Sequence, residues 1–462
     1  MYHLRCITGP SMIRPAERRI PRVMPKLPRR RRLPRLNWKI GAALPVAFLA
    51  VYAWIAGPLT PSPTPRTEPR PKTAESKLRP PARVISKLEV QQLIAGERFL
   101  DLPDSRFQIK RHNSCFTVQT TLDRGLQQAL MQRLDQRHSR YIGIVVMDPD
   151  DGRVLALAGY DKANPAANPC LDSRFPAASI FKIITAAAAV ETRDLEPDSI
   201  LNFKGGKHTL YKSQIDAKPT KSANRVSLKE SFAQSINPVF GKLGVQQLGP
   251  EILGSYAEAF GFNQEIDFEL PIRPSRIELS GQAFEVAEVA SGFNRTTRIS
   301  PLHGAVMAAA VVNRGRWVEP TVVDWIANDK NQIIYQSQTV FGDQVIEPGT
   351  AAVLRELMQA TVQSGTAHKE FQKHHDDKIL SRLEIGGKTG SMGDGSGGTR
   401  YDWFVGYARE PRGRERLVFS VVVAHEDYIG TRAAAYAAAA IREYFQGYFA
   451  RLESPLASAP RS

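Results

Sequence analysis

Cysteine is scarce in this sequence, with only three among 462 residues. A fold that depends on disulfide bonds needs more, so a disulfide-built scaffold is excluded. No internal repeat is evident. Hydrophobic residues make up 42% and charged residues 23% of the chain, which is ordinary globular composition and excludes a wholly disordered or fibrous protein. At about 150 residues per domain, the length favours about three structural units.

The formal net charge of +16 comes almost entirely from the first 85 residues. Residues 1–39 contain twelve Lys or Arg and one acid, and residues 58–85 contain six Lys or Arg and two acids. The other residues together are nearly balanced, with 44 basic and 43 acidic side chains. Nucleic-acid binding needs basic charge gathered on a folded surface, so we expect no nucleic-acid partner.

A run of 18 residues without a charge, at 40–57, follows the first basic segment. As a helix it would extend about 27 Å, close to the hydrocarbon thickness of a bilayer. Basic flanks stay in the cytoplasm. We therefore expect a cytoplasmic tail at 1–39, a single transmembrane anchor at 40–57 in the inner membrane, and export of the rest to the periplasm. A cleaved signal peptide and a buried core helix stay open as alternatives.

Beyond the predicted anchor, composition divides the chain into four segments. Residues 58–85 contain eight prolines, which favour an extended polyproline II spacer with little to bury. Residues 86–115 form a short lead-in, residues 116–450 a compact domain, and residues 451–462 a C-terminal tail.

Apolar runs in the compact domain predict an antiparallel sheet whose strands come from both ends of the domain. The predicted strands are 141–148, 153–160, 383–392, 403–408 and 417–424. Helices are predicted at 181–192, 227–248, 284–313 (with an interruption near Ser300-Pro301) and 433–449. The predicted fold class is α+β, with a five-stranded antiparallel sheet flanked by helices and a helical subdomain between the two groups of strands.

Ser179 and Lys182 stand three residues apart at the predicted start of a helix, and this spacing puts both side chains on one face. A serine hydroxyl is a poor nucleophile until a base removes its proton. A lysine kept from water and near other cations has a lowered pKa and can act as that base. The S-x-x-K pattern alone is weak, because chance supplies about one copy in a chain of this composition.

Ser235 and Asn237 form an S-x-N element inside the predicted helix 227–248, where their placement would be rigid. A second copy, Ser222-Ala223-Asn224, lies in a polar run that is typical of a loop. We therefore prefer the later copy as the candidate.

Lys388, Thr389, Gly390 and Ser391 follow two glycines on the strand ahead of the final hairpin. A K-T-G triplet is expected by chance only about 0.07 times in such a chain. A lysine beside small hydroxyl residues on an exposed strand edge suits a ligand that carries a carboxylate. Taken alone, the triplet also fits a glycine-bent edge strand with a solvated lysine.

The order S-x-x-K, S-x-N and K-T-G is much more specific than any one of its parts. It is the signature order of penicillin-binding proteins and class A β-lactamases. Over roughly residues 116–445, the chain resembles the transpeptidase domain of the penicillin-binding proteins. Further stretches that resemble this family are Thr120-Thr121-Leu122-Asp123, Asp151-Gly152-Arg153-Val154-Leu155-Ala156, Ser300-Pro301-Leu302, Ser364-Gly365-Thr366-Ala367 and Trp403-Phe404-Val405-Gly406-Tyr407.

The resemblance implies a β-lactamase/transpeptidase-like fold and a two-step acyl transfer on peptidoglycan stem peptides. Ser179 would attack the carbonyl between two terminal D-alanines, with Lys182 as the general base. Ser235 would relay a proton to the leaving amine, and Asn237 would hold Lys182 and the substrate amide. An amine from a neighbouring stem would then take the acyl group and form a cross-link.

The same resemblance implies how the substrate is held. Lys388, Thr389 and Ser391, on either side of Gly390, would bind the terminal carboxylate, and the backbone N–H groups of Ser179 and Ser391 would form an oxyanion hole. β-Lactams would acylate Ser179 because they resemble the terminal dipeptide. No cofactor is expected, and a separate glycosyltransferase is a candidate partner because no segment resembles one.

Two other functions stay open. A D,D-carboxypeptidase or β-lactamase would share the first step and use water as the acceptor. Class A β-lactamases carry a deacylating glutamate in an E-x-x-L-N context, which does not follow Ser235, and class D enzymes have valine where this chain has Asn237. A non-catalytic penicillin-binding sensor or scaffold would need an output module, whereas the predicted tail is short and basic.

Cysteine and histidine residues add two secondary questions. Cys115 and Cys170 both fall on the predicted exported side, and the sequence leaves a disulfide and two free thiols both open. The run 374–377, His-His-Asp-Asp, lies in a polar stretch that is typical of a solvated loop, so we expect no metal site there.

Overall fold

A computed structural model describes residues 84–453, apart from 101, 103, 112, 217–222, 374–375 and 396–397. The predicted tail, anchor and spacer up to residue 83, and the chain from residue 454 onward, lie outside the described residues. Within the described part of the chain, no helix has both the length and the apolar character needed to cross a bilayer.

The described residues form the following α-helices and β-strands. The helices are α1 Lys87–Leu93, α2 Arg124–Gln132, α3 Lys182–Arg193, α4 Lys212–Ile215, α5 Leu228–Ala233, α6 Asn237–Lys242, α7 Gly249–Ala259, α8 Ala283–Ser291, α9 Pro301–Val312, α10 Pro348–Gln363, α11 His368–Gln372 and α12 Ala433–Glu453. The strands are β1 Arg106–Arg111, β2 Ser114–Thr120, β3 Ser139–Met147, β4 Val154–Asp161, β5 Phe175–Pro176, β6 Ile200–Phe203, β7 Asn224–Ser227, β8 Arg298–Ile299, β9 Arg316–Val318, β10 Val323–Ala327, β11 Ile333–Gln336, β12 Phe341–Gln344, β13 Glu384–Gly393, β14 Arg400–Arg409 and β15 Arg416–His425.

The central sheet has five strands in the order β13-β14-β15-β3-β4. Every neighbouring pair is antiparallel. Strands β3 and β4 come from the early part of the domain and β13, β14 and β15 from its end, so the predicted sheet is confirmed. Because β15 pairs with β3, the two ends of the domain are joined by backbone hydrogen bonds in the middle of the sheet.

Strand β3 shows why this sheet is covered on both faces. Its residues are almost all apolar, and successive side chains of a strand point to opposite faces. Ile142, Ile144 and Val146 pack into a core that includes α2 and α12. Val145 and Met147 pack into the larger core that the middle helices share. A continuous apolar run with period-two alternation therefore supplies two separate cores.

The helix predicted over 227–248 is broken in the structure. It consists of α5, α6 and a π-helical segment at Leu243–Leu248, with Ser235 between α5 and α6 at a φ of +55°. The physical reason is Pro238, which has no backbone N–H to donate to a residue four positions earlier and is favoured in the first turn of a helix. The continuous-helix prediction was wrong, and the S-x-N element lies at the break.

The predicted lead-in at 86–115 packs against the domain that follows it. Helix α1 begins at a capping box between Ser86 and Glu89, and its Val90 is fully buried in the larger core. Strand β1 pairs with β2 in a second, four-stranded sheet of order β1-β2-β10-β11. Strand β2 crosses the boundary drawn between residues 115 and 116, so lead-in and domain share one sheet.

Gln127 on α2 joins the lead-in to the central sheet. Its side-chain NH2 group shares its two protons among three carbonyls, those of Phe99 and Leu100, at 3.2 and 3.1 Å, and that of Leu157 in β4, at 2.6 Å. Its side-chain oxygen accepts from the Leu157 N–H at 2.8 Å. All four bonds are buried, so one side chain satisfies four backbone groups that water does not reach.

We expect Gln127→Leu to lower the free energy of unfolding by about 3 kcal/mol or more, because several buried backbone groups lose their partners at about 1–3 kcal/mol each. The matched control is Gln128→Leu, since Gln128 is the exposed neighbour. Urea unfolding followed by circular dichroism measures both. Equal unfolding midpoints for the two variants would contradict this account of Gln127.

Candidate active site

Ser179 lies in a 3₁₀ turn, Ala178–Phe181, that leads directly into α3. Ala178, just before it, has a φ of +48°, a strained conformation for a residue with a side chain. Gly292 makes this turn possible, because a Cβ there would lie 1.9 Å from the Ala178 carbonyl oxygen. The close contact between the backbones at Gly292 and Ala178 therefore determines the position of Ser179.

Lys182 is fully buried at the first position of α3, one turn after Ser179. Its Nζ lies 2.8 Å from Ser179 Oγ, 2.8 Å from Asn237 Oδ1 and 2.5 Å from the Ser291 carbonyl oxygen. Three elements that are far apart in sequence thus meet at one amine.

Burial, assisted by the charge of nearby Lys388, lowers the pKa of Lys182 well below its usual 10.5. A neutral amine has two N–H groups and one lone pair. The N–H groups can donate to Asn237 and to the Ser291 carbonyl, and the lone pair then faces the Ser179 hydroxyl. This arrangement is suited to removing the serine proton.

A second buried lysine lies on the other side of the S-x-N element. Lys388 Nζ donates to Ser235 Oγ at 3.0 Å and to the Thr389 carbonyl oxygen at 2.9 Å. Lys388 is fully buried, and burial lowers its pKa to about 7. Ser235 has a positive φ, and it lines the same cleft as Ser179.

The loop between β6 and α4 holds Asn237 in place. The Asn237 N–H donates to the Lys207 carbonyl at 2.7 Å, and its side-chain amide donates to the His208 carbonyl at 2.9 Å. With its amide nitrogen used in this way, the side-chain oxygen of Asn237 is left to face Lys182. Burial, assisted by the charge of Lys388, lowers the pKa of His208, against the raising effect of its hydrogen bond to the Ser235 backbone.

The K-T-G residues lie on β13, an edge strand of the central sheet. Lys388 points inward, while Thr389 is half-buried and Ser391 is exposed. Gly390 allows the strand to pass close to the serine turn, because a Cβ there would lie 3.3 Å from the Ala178 Cβ. Arg400 on β14 donates from Nε to Ser391 Oγ at 3.2 Å, so an exposed cation stands beside the hydroxyl.

A cleft of about 1080 Å³ opens over these groups. Six of the eight predicted site residues line it: Ser179, Ser235, Asn237, Thr389, Gly390 and Ser391. The other two, Lys182 and Lys388, lie beneath its floor, where each contacts a lining serine hydroxyl. The structure therefore brings all eight together, and their individual roles stay predictions.

The competing candidates do not join this site. Asn224 of the earlier S-x-N copy lies in β7, and Ser222 falls outside the described residues. Cys115 is exposed and Cys170 is buried, and both are free thiols. Within the ranges that the structure describes, no group of three metal-ligating side chains is found, and residues 374–375 lie outside those ranges.

Three contributors to the site were missed in the sequence. The Ser291 carbonyl binds Lys182 through backbone, which any residue type supplies, so no motif marks it. Gly292 falls inside the predicted helix 284–313, where it could have been suspected only as an isolated glycine in a helical pattern. Thr366 lines the cleft and contacts Thr389, and its signal was the S-G-T-A stretch that resembles the family.

Comparison with known proteins agrees with this geometry. The family model described as penicillin binding protein transpeptidase domain matches residues 142–444. Penicillin-binding protein PbpB of Mycolicibacterium smegmatis is 27% identical over 308 residues, which cover 60% of this chain and 44% of that protein. Peptidoglycan D,D-transpeptidase PbpA of Mycobacterium tuberculosis is 25% identical over 352 residues, 66% of this chain and 67% of that protein. The chain thus spans less than half the length of the first relative.

A solved structure shares the architecture. The D,D-transpeptidase domain of a peptidoglycan glycosyltransferase from Eggerthella lenta superposes with a TM-score of 0.59 at 27% identity, covering 72% of this chain and 83% of that one. The family model covers about two thirds of the chain, including all three motifs. The chain belongs to the penicillin-binding protein transpeptidase domain family.

Proposed function

We propose that this protein is a serine D,D-transpeptidase that cross-links peptidoglycan stem peptides through an acyl-enzyme and is acylated by penicillins. The observation that carries the proposal is the buried Lys182 amine, held between Ser179 Oγ and Asn237 Oδ1 at 2.8 Å from each. The relative from Mycobacterium tuberculosis bears the name of this activity.

In the first step, Ser179 Oγ attacks the carbonyl carbon of the terminal D-alanyl-D-alanine bond. Lys182 Nζ takes the hydroxyl proton as the oxygen–carbon bond forms. The negative charge that develops on the carbonyl oxygen is met by backbone N–H groups of Ser179 and Ser391. The carbon–nitrogen bond then breaks, and the acyl group stays on Ser179.

The departing amine needs a proton, and Ser235 is placed to supply it. Its hydroxyl lies 3.0 Å from Lys388 Nζ and shares the cleft with Ser179. With a pKa of about 7, Lys388 exchanges a proton readily near neutral pH, so the Ser235 hydroxyl can give a proton to the amine and regain one from Lys388. An incoming amine from a second stem reverses these transfers and releases the cross-linked product.

Water competes with the amine as the acceptor of the acyl group, and a carboxylate in the cleft could activate it as a general base. Among the described lining residues the carboxylates are Glu370 and Asp402. Glu370 pairs with Lys373 at 2.8 Å, and Asp402 accepts from the N–H of Ala433 at 3.0 Å. Both carboxylates thus already have partners, which is a reason to prefer transfer over a β-lactamase that activates water through a carboxylate. A D,D-carboxypeptidase would use the same serine and lysine groups with water as the acceptor, and it stays the alternative.

The placement of the protein in the cell is part of the proposal. The uncharged run 40–57 between a basic tail and a proline-rich spacer supports a single-pass inner-membrane anchor with the catalytic domain in the periplasm. The proposed domain limits are those drawn from composition, with the catalytic part at 116–450. Stem peptides of the wall would be substrates there, and a separate glycosyltransferase would supply the glycan strands.

Replacing the nucleophile tests the first step. A fluorescent penicillin should label the wild-type protein covalently, and Ser179→Ala should abolish the labelling because no hydroxyl remains to attack. Ser381→Ala, at an exposed serine outside the cleft, is the matched control and should label like the wild type. Gel fluorescence after denaturation measures all three. Labelling of Ser179→Ala at the control level would remove Ser179 from this role.

The pH dependence of labelling tests the state of Lys182. The base must be uncharged, so the labelling rate should fall as the pH drops through the lowered pKa of Lys182. The proton donor Lys388 must be charged and its pKa is about 7, so the rate should also fall as the pH rises above that value, well before the pH nears 10.5. Stopped-flow labelling across the range measures this, with circular dichroism at each pH as the control for folding. A rate that climbs about tenfold per pH unit up to about pH 10 would contradict the assignment.

The lifetime of the penicillin adduct separates transfer from hydrolysis. We expect the adduct to persist long after free penicillin is removed, because the lining carboxylates are engaged elsewhere. Adding an amine acceptor together with a D-alanyl-D-alanine donor should give the amide product in mass spectrometry. Rapid loss of the adduct in water, with free donor acid as the sole product, would favour a hydrolase instead.

A further inference from the structure

The loop at 364–367 joins α10 to α11 and lies against two parts of the site. Its Ser-Gly-Thr-Ala sequence resembles the family, but the reaction described above gives it no role. Thr366 is exposed and lines the cleft.

On one side, the loop is fixed to the end of α5, immediately before Ser235. The Thr366 N–H donates to the Ala233 carbonyl at 3.0 Å, and Gln234 Nε2 donates to the Ser364 carbonyl at 2.9 Å. Gly365 allows this approach, because a Cβ there would lie 2.4 Å from the Ala233 carbonyl oxygen. The backbone of the loop is therefore set by the same segment that places the S-x-N element.

On the other side, the loop reaches β13 through one side chain. Thr366 Oγ1 lies 2.5 Å from Thr389 Oγ1. Each hydroxyl has one proton and can accept through two lone pairs. One of the two protons therefore makes the hydrogen bond between the hydroxyls, and the other is available to a ligand. A carboxylate can only accept. When it binds at Thr389, Thr366 must donate to Thr389, and the Thr389 proton then points to the carboxylate.

We propose that Thr366 is a positioning residue for the substrate carboxylate, which it serves by fixing and polarising the Thr389 hydroxyl. This inference rests on the proposed function, because it assumes that Thr389 binds the carboxylate of the donor peptide or of a penicillin. A hydroxyl that already accepts a hydrogen bond is a stronger donor to a charged group. Because its rotation is already restricted, it also loses little conformational entropy when the ligand binds.

The test compares Thr366→Val, which keeps the shape and removes the hydroxyl, with Thr366→Ser, which keeps the hydroxyl. The apparent dissociation constant for penicillin before acylation should rise roughly fivefold in Thr366→Val, the worth of about one neutral hydrogen bond. The acylation rate constant at saturation should stay within about twofold, and Thr366→Ser should bind like the wild type. Stopped-flow labelling over a range of penicillin concentrations separates the two constants.

A double-mutant cycle shows whether Thr366 acts through Thr389. In the Thr389→Val background, Thr366→Val should raise the dissociation constant no further, because the hydroxyl that it positions is gone. Equal binding by Thr366→Val and the wild type, equal losses in Thr366→Val and Thr366→Ser, or a full additional loss in the double variant would each overturn the inference. Failure of the wild type to be acylated at all would instead refute the proposed function.

Discussion

The site depends on keeping an amine out of water without giving it a counter-charge. Moving a lysine ammonium into a protein interior is costly, and a buried lysine without a carboxylate partner avoids most of that cost by releasing its proton. Lys182 is such a lysine: its partners are a hydroxyl, a side-chain amide oxygen and a backbone carbonyl, all of them neutral. Its depressed pKa is therefore a consequence of packing. The site as a whole requires the fold to bring four distant segments together: the serine turn, the S-x-N element, the backbone at Ser291 and the K-T-G strand.

Each of those segments is placed by a separate local device. Strand β15, near the end of the domain sequence, pairs with β3, near its start. The central sheet formed in this way brings the K-T-G strand close to the turn that carries Ser179. The break at Pro238 turns Ser235 out of its helix and leaves Asn237 at the start of the next one. Gly292 lets the backbone that carries the Ser291 carbonyl pass against the serine turn. The arrangement of the reactive groups thus depends on several parts of the fold, and the short sequence motifs mark only some of them.

How much of this could be predicted from sequence follows from the kind of interaction involved. The five strands could be predicted to within three residues at each end, because their apolar runs alternate between two cores and end at turn residues. The helix over 227–248 was mispredicted because its apolar spacing continues through Pro238, although the proline itself was the signal for a break. The eight site residues could be proposed from ordered motifs. The carbonyl of Ser291 could not, since a backbone contact leaves no trace in residue type.

The most direct test of the account is the ionisation of Lys182 itself. Carbon-13 labelling of lysine side chains lets NMR follow each Cε shift with pH, and the spectrum of Lys182→Met assigns the signal by its disappearance. We expect the Lys182 signal to titrate far below 10.5, the usual lysine value. A Lys182 signal that titrates together with the exposed lysines would mean that the amine is charged at neutral pH, and the central claim would be wrong.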